Sequence, residues 1–159
     1  MDVTARHHLR SDAIDEIRDA LAERLGVDIE AGTFEEIELA GSDREVVLVD
    51  GEPLVFYDEG EPFLTVRGAN AYPPERNVVT VDAGAVQFVS DGADVMRPGI
   101  VDAHESIAAG ELVVIAEESH GKVLAVGRSR VDGGDLLGDE GKVIDSIHHV
   151  GDDLYGLSA

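Results

Sequence analysis

Apolar residues near the start of the chain recur at three- and four-residue spacing, the period of a helix with one buried face. The stripe consists of Ile14, Ile17, Leu21 and Leu25. Ser11 stands where a helix N-cap is expected, and Gly26 tolerates the left-handed backbone of a C-terminal stop. The pattern therefore predicts an amphipathic helix that is capped by Ser11 and stopped by Gly26.

Short apolar runs separated by turn residues follow this helix and predict strands. A weak run covers residues 34–39. A stronger signal lies at residues 45–57, where two apolar runs flank Asp50 and Gly51, a pair that accepts the positive φ angles of a tight hairpin turn. A later run predicts another strand over residues 63–67. These elements together predict a small α+β unit.

Two consecutive prolines, Pro73 and Pro74, mark the predicted domain boundary, because proline neither continues a helix nor donates to a central strand. We place one domain at residues 1–74 and a second at residues 75–159. The second contains a predicted short helix at residues 84–89 among strands interrupted by glycine, a pattern that favours a small barrel. The predicted strands cover residues 78–81, 94–101, 112–116, 122–131 and 144–150.

Acidic residues dominate the charge of the chain. The 34 Asp and Glu residues against 12 Lys and Arg give a formal net charge of −22. The acids are spread along the whole chain rather than gathered in a tail. Self-repulsion of this size destabilises a compact fold in dilute salt and is screened in concentrated salt. The composition therefore predicts a halophilic protein of a salt-rich cytoplasm; the alternative is an acidic protein that binds basic partners.

The sequence lacks the signals of several other protein classes. It has no cysteine, no apolar run approaching the ~20 residues of a membrane span, and no apolar segment of the kind that a secretory signal needs at its start. We therefore expect a cytoplasmic protein. No phosphate-binding loop, nucleophile elbow or zinc-binding motif occurs, so we expect neither an enzyme nor a cofactor.

A spaced motif in the second half carries a family resemblance. Residues 82–85 read Asp-Ala-Gly-Ala, and residues 92–100 read Gly-Ala-Asp-Val-Met-Arg-Pro-Gly-Ile. They resemble the opening of PUA domains, whose pattern is Asp-x-Gly-Ala, a short helix, and Gly-Ala-x-Val-x-x-Pro-Gly-Ile. Further segments that resemble barrel strands and the closing tail are residues 112–115, 123–127 and 142–155. The resemblance implies an α+β fold in which a small N-terminal pre-PUA domain precedes a C-terminal PUA pseudobarrel.

The first half resembles a narrower family. Residues 6–11 before the first helix, and residues 63–66 before Tyr72 and Pro73, are similar to the pre-PUA domain of the MCT-1 family (malignant T-cell amplified sequence proteins) and its archaeal relatives. The resemblance implies an RNA-binding protein of translation that contacts tRNA, ribosomal RNA, a translation factor or the small ribosomal subunit, in initiation, re-initiation or recycling. It implies no membrane or DNA partner.

Two alternatives to this role remain open. The chain would be either a PUA subunit that assists a tRNA-modifying enzyme (a transglycosylase or pseudouridine synthase) in trans, or a protein–protein adaptor.

In PUA domains, RNA lies against the short helix, the strand after it and the last strand. Carried onto this chain, the resemblance implies an RNA-binding surface formed by Gly84, Ala85, Gln87, Arg97, Lys142, His148 and His149. The segments of Arg97 and Lys142 are expected to lie side by side and to offer two cations to phosphate. Gln87 is neutral where many relatives carry a basic residue.

Three further expectations concern individual side chains. His148 and His149 point to opposite faces if they lie in a strand, so at most one of them is expected to face RNA. Aromatic residues make up only 4% of the chain, so base stacking is expected to depend on these imidazoles or on Tyr155. Arg128 and Arg130 are either a second basic spot or a solvated strand face.

Overall fold

The structure is a computed structural model that describes residues 2–30 and 32–158. Its strands form two sheets. The first sheet has five antiparallel strands in chain order, β1 (Val3–His8), β2 (Phe34–Leu39), β3 (Val46–Val49), β4 (Glu52–Asp58) and β5 (Glu61–Leu64). Helix α1 (Ser11–Leu25) packs against β5, and the short helix α2 (Val66–Ala71) packs against β4.

Helix α1 forms where the apolar stripe predicts it. Ile17, Leu21 and Leu25 have no exposed surface, and Gly26 ends the helix with a φ of 66°. The predicted N-cap is wrong: Arg10 occupies the cap position, without a side-chain bond to the helix, and Ser11 lies inside the first turn. The amphipathic stripe therefore fixed the helix without a side-chain cap.

The predicted hairpin is confirmed. Asp50 and Gly51 have φ angles of 49° and 86°, the left-handed values of a tight turn between antiparallel strands. All four residues of β3 are buried, so this strand lies at the centre of the first sheet.

Two elements of the first half were not predicted correctly. Strand β1 was missed, because most of its side chains are exposed at the sheet edge and leave little apolar alternation. The strand predicted over residues 63–67 ends at Leu64, and α2 begins where Thr65 Oγ1 accepts a hydrogen bond from Gly68 N. No helix in the two described ranges is long and apolar enough to cross a membrane.

The second sheet closes into a pseudobarrel, as predicted. Its strands are β6 (Val78–Val81), β7 (Val95–Met96), β8 (Ile100–Ala103), β9 (Leu112–Glu117), β10 (Val123–Ser129) and β11 (Lys142–His149). Their order is β7-β11-β10-β9-β6-β8, with β6 parallel to β9 and the other pairs antiparallel. Helix α3 (Ala83–Ser90) confirms the predicted short helix. The single strand predicted over residues 94–101 is instead divided by a 3₁₀ turn at Arg97–Gly99, where Pro98 has no N–H to donate.

Alternation along β9 explains how the two halves are joined. Val113 and Ile115 point into the barrel, whereas Leu112, Val114 and Ala116 point the other way into a core shared with α1 and the first sheet. The shared core also takes up the C-terminal Leu154 and Leu157. The two sheets are therefore packed through a common apolar layer, and the division at residues 74 and 75 remains a prediction.

Salt is expected to stabilise this fold. All 34 acidic residues lie within residues 2–30 and 32–158, and none of them is buried there, so most of their mutual repulsion acts across solvent, where ions screen it. We expect the melting temperature, followed by circular dichroism, to rise steadily from millimolar to molar KCl. Sucrose at matched osmolality is the control, since it does not screen charge. A melting temperature that is independent of KCl would contradict the halophilic interpretation.

Candidate nucleic-acid interface

The start of α3 is tied to the 3₁₀ turn that follows β7. Asp82 caps the helix, its Oδ1 accepting a hydrogen bond from Ala85 N at 3.0 Å, and Asp82 N donates to Gly99 O at 2.9 Å. A Cβ added at Gly99 would lie 2.9 Å from the Ala85 Cβ. Glycine at this position therefore lets the helix and the turn lie side by side.

A largely apolar cleft of about 420 Å³ opens between α3 and this turn. Its lining includes Gly84, Ala85, Phe88, Met96 and Pro98. Phe88 is 68% exposed, the largest value among the exposed large apolar side chains of residues 2–30 and 32–158, and Met96 is 47% exposed. The cleft thus presents an aromatic ring and a flexible thioether to solvent.

Sequence reasoning missed both of these side chains. In the eight-residue helix α3, Val86 and Val89 pack on the face toward the barrel core, which leaves Phe88 on another face. That periodicity was the available signal for an outward-facing aromatic residue. Tyr155, one of the expected stacking residues, instead packs partly buried against the core shared by the two sheets.

The predicted residues on α3 are at the surface, but they do not all line the cleft. Gly84 and Gln87 are exposed and Ala85 is half-buried. Gly84 and Ala85 line the cleft, and Gln87 does not. A Cβ added at Gly84 would approach no atom closer than 3.4 Å, so its backbone is open to an incoming group.

The segments of Arg97 and Lys142 lie side by side, as predicted, since Lys142 pairs with Met96 and Arg97 N donates to Gly141 O at 2.9 Å. Their charged groups are nevertheless engaged. Arg97 donates from Nε to Asp135 O at 2.9 Å and from Nη1 to Glu140 O at 3.0 Å. The guanidinium group of Arg97 therefore stabilises the loop that contains Asp135 and Glu140.

Lys142 Nζ lies 3.1 Å from Asp94 Oδ2. The pKa of Asp94 is lowered, first by the hydrogen bond from Ser146 N and also by Lys142. An RNA phosphate would have to compete with this carboxylate for the lysine.

His148 does not belong to the exposed surface. It has no exposed area; its Nε2 accepts a hydrogen bond from Val66 N at 3.1 Å, and its Nδ1 lies 2.8 Å from Asp152 Oδ2. The ring is therefore neutral, with its proton on Nδ1. Partial burial opposes ionisation of Asp152, but hydrogen bonds from His148, His149 N and Tyr155 N outweigh it and lower the pKa to about 2. The inclusion of His148 among the RNA-contacting residues is corrected accordingly.

His149 lies on the other side of β11, next to the end of α3. Its Nδ1 lies 2.9 Å from Ser90 O, and its ring covers Gly92, where an added Cβ would come within 2.6 Å of Nε2. The two histidines do point to opposite faces, one into the shared core and one toward α3. His149 is partly exposed and stays a candidate for the surface.

Arg128 and Arg130 do not form a free basic spot. Arg128 donates to Asp58 Oδ2 at 2.7 Å, and Arg130 donates from Nε to Asp145 at 3.0 Å. Arg130 lies on a solvated strand face, as one of the two interpretations expected, whereas Arg128 is mostly covered and contacts Asp58 of the first sheet. Among residues 2–30 and 32–158, no group of His, Asp and Glu is arranged to hold a metal ion.

Comparison with known proteins identifies the family. The PUA domain model matches residues 77–151. An uncharacterized protein of Methanocaldococcus jannaschii is 39% identical over 72% of this chain and 72% of its own length. Translation machinery-associated protein 20 of Saccharomyces cerevisiae is 32% identical over 77% of this chain and 73% of its own length. Malignant T-cell-amplified sequence 1-A of Xenopus laevis is 33% identical over 71% of this chain and 65% of its own length. The chain belongs to the MCT-1-like family of PUA proteins.

Solved structures of two archaeal proteins share the MCT-1-like architecture over nearly the whole chain. A hypothetical protein of Pyrococcus horikoshii has a TM-score of 0.84 and 27% identity and covers 98% of this chain and 100% of its own. A conserved PUA domain protein of Thermoplasma acidophilum has a TM-score of 0.82 and 30% identity, and the match covers 95% of this chain and 97% of that protein. The N-terminal sheet is therefore part of the shared fold.

Proposed function

We propose that this MCT-1-like protein binds RNA through the cleft between α3 and the 3₁₀ turn, and that an unpaired base enters the cleft. The observation that carries the proposal is the exposed ring of Phe88 beside Met96. An apolar patch that a protein keeps in water marks a binding surface, and an aromatic ring stacks on any base. Phe88 takes the stacking role that the sequence assigned to the imidazoles or to Tyr155.

The charges of the lining favour a base over a phosphate in the cleft. Asp82 and Asp94 both line it, and no lysine or arginine does. Two carboxylates repel a phosphate, whereas a neutral base meets the apolar wall without that cost. RNA with unpaired nucleotides in a loop or at an end therefore fits the cleft better than a continuous duplex.

The remaining candidate residues take supporting roles in this proposal. The open backbone at Gly84 and Ala85 lets a nucleotide approach closely, and Gln87 and His149 offer polar groups to base edges or sugar. Arg97 and Lys142 lie at the rim and contact RNA only if they exchange their present partners for it.

The relatives suggest the setting. Because the yeast relative is named as a translation machinery-associated protein, we place this chain in translation. The proposed RNA partners are tRNA or ribosomal RNA of the small subunit, during initiation, re-initiation or recycling. The proposed activity is binding rather than catalysis.

Phe88→Ala is expected to weaken binding to bulk tRNA by about 1–3 kcal/mol, roughly 5- to 150-fold, because one stacked base is lost. Folding should be unchanged, since the ring is mostly in solvent. Filter binding of the purified protein to labelled tRNA, with circular dichroism of each variant, measures both quantities.

Val101→Ala is the matched control, because Val101 is an apolar side chain with 41% exposure on β8 that does not line the cleft. A blunt-ended RNA duplex without loops is the control ligand and should bind more weakly than tRNA. Equal losses for the two variants would overturn the assigned cleft. No RNA binding by the wild-type protein would overturn the function and favour a protein–protein adaptor.

A further inference from the structure

Lys122 differs from the other basic side chains of this acidic protein. In residues 2–30 and 32–158, every other lysine and arginine contacts an acidic side chain, a backbone carbonyl or an aromatic ring. Across those same ranges, the ammonium group of Lys122 has no ion pair or hydrogen bond. A cation without a partner, in a chain with 34 acids, is available to an external anion.

Lys122 lies at the tip of the hairpin between β9 and β10, and the tip is held rigidly. The Glu117 carboxylate accepts hydrogen bonds from Ser119 N, His120 N and Lys122 N at 3.1, 2.6 and 3.0 Å. The His120 ring beside these amides is 88% exposed, and its Nδ1 lies 3.9 Å from Glu117 Oε2. The tip therefore presents two nitrogen-bearing side chains to solvent from a fixed backbone.

The N-terminal half fixes the same tip. Asn70 donates from Nδ2 to Val123 O at 3.1 Å and accepts from Val123 N at 2.9 Å. The tip also forms one wall of a cleft of about 230 Å³ whose other wall includes Pro73 and Pro74. A ligand at Lys122 would therefore lie close to both halves of the molecule.

The tip is near the start of α3. Strand β6 runs parallel to β9 with Val81 opposite Glu117, and Glu118 N donates to Val81 O at 3.1 Å. Helix α3 begins two residues after Val81. Since neighbouring strands are about 4.8 Å apart, Lys122 on the next strand is roughly 10 Å from the end of β6. The tip and the start of α3, which lines the cleft through Gly84 and Ala85, therefore lie at the same end of the pseudobarrel.

We propose that the hairpin tip, formed by His120 and Lys122, binds an RNA phosphate next to the nucleotide whose base occupies the cleft at Phe88. This proposal rests on the proposed function and adds the phosphate contact that the cleft cannot make, because acids line the cleft and Arg97 and Lys142 are already engaged. Lysine acts there as a point charge, which requires no fixed orientation of the phosphate.

The test is the salt dependence of RNA binding by Lys122→Ala and Lys122→Arg. Fluorescence anisotropy with labelled tRNA between 0.1 and about 1 M KCl gives the affinity and its salt slope. We expect Lys122→Ala to weaken binding about three- to tenfold at the lowest salt and to reduce the slope of log K against log [KCl] by about 0.7, the contribution of one phosphate on a single strand. Lys122→Arg should keep the wild-type slope.

Arg130→Ala is the matched control, because Arg130 is an exposed cation that is paired with Asp145. Its slope should equal that of the wild type. If Phe88→Ala weakens binding while Lys122→Ala leaves the affinity and the slope unchanged, the cleft is right and the phosphate contact is wrong. If the wild-type protein binds no RNA at any salt concentration, both proposals fail together.

Discussion

His148→Leu is expected to lower the free energy of unfolding by about 3 to 5 kcal/mol. Leucine fills much of the same volume, but it leaves Val66 N without its acceptor at a fully buried position and removes the hydrogen bond to Asp152. The unpaired buried amide and the loss of one hydrogen bond to the Asp152 carboxylate both lower the free energy of unfolding, and the packing of leucine does not compensate for this loss. Urea denaturation at neutral pH and fixed KCl concentration, followed by circular dichroism, measures the change.

Asp152→Asn tests the same network through pH. The pKa of Asp152 is lowered from 3.8 to about 2 in the folded protein, so the ionised carboxylate contributes stability that is present above pH 4 and is lost as pH falls toward 2. Asparagine does not titrate. The difference in the free energy of unfolding between the wild type and Asp152→Asn should therefore become smaller as the pH is lowered from about 5 to 2. A difference that is constant over this range would contradict the role of these hydrogen bonds in stabilising the ionised carboxylate of Asp152.

This network connects the two halves of the molecule to the proposed RNA surface. Asp152 Oδ2 accepts from His149 N at 2.9 Å as well as contacting His148. His148 reaches the start of α2 on one side of β11, and His149 reaches Ser90 at the end of α3 on the other. The N-terminal sheet and the helix that carries Phe88 are thus attached to adjacent residues of one strand.

Local rules in the sequence predicted the elements that have local causes. The Asp50 and Gly51 turn and the stop at Gly26 require a left-handed backbone, which few residues tolerate, and both occur as expected. The PUA motif predicted α3 and the pseudobarrel, because its glycines and proline stand where the helix and the 3₁₀ turn meet. These features need no knowledge of distant parts of the chain.

The incorrect predictions have causes that lie far along the chain. His148 was assigned to the surface because RNA lies against the last strand in PUA domains, yet His148 is buried and accepts a hydrogen bond from Val66 N, which lies 82 positions earlier. Arg97 follows the short helix of the PUA motif, and it was expected to offer its charge to a phosphate. Its partners are the carbonyls of Asp135 and Glu140, in a loop with no sequence signal for that contact. Tertiary contacts alone decide which polar residues remain available to a ligand.

Gly68 in α2 is likewise fixed by a contact with a distant part of the chain. A Cβ at this position would lie 2.1 Å from Leu54 O and 3.0 Å from the carbonyl carbon, which are backbone atoms of β4. The helix cannot easily move away, because Thr65 Oγ1 donates to Pro53 O at 2.9 Å and Val66 is bonded to His148. The glycine is therefore required by the close approach of α2 to the sheet.

Gly68→Ala is expected to destabilise the protein by about 3 kcal/mol or more. Helix propensity alone would favour alanine by at most about 1 kcal/mol, so the steric clash decides the sign. Gly84→Ala is the matched control: it lies in α3, where an added Cβ meets nothing closer than 3.4 Å, and it should be neutral or slightly stabilising. Urea denaturation of both variants measures the difference, and hydrogen exchange at Val66 N reports whether α2 has moved. Equal stability of the two variants would show that α2 is free to shift on β4, and that the backbone approach at Leu54 does not constrain the fold.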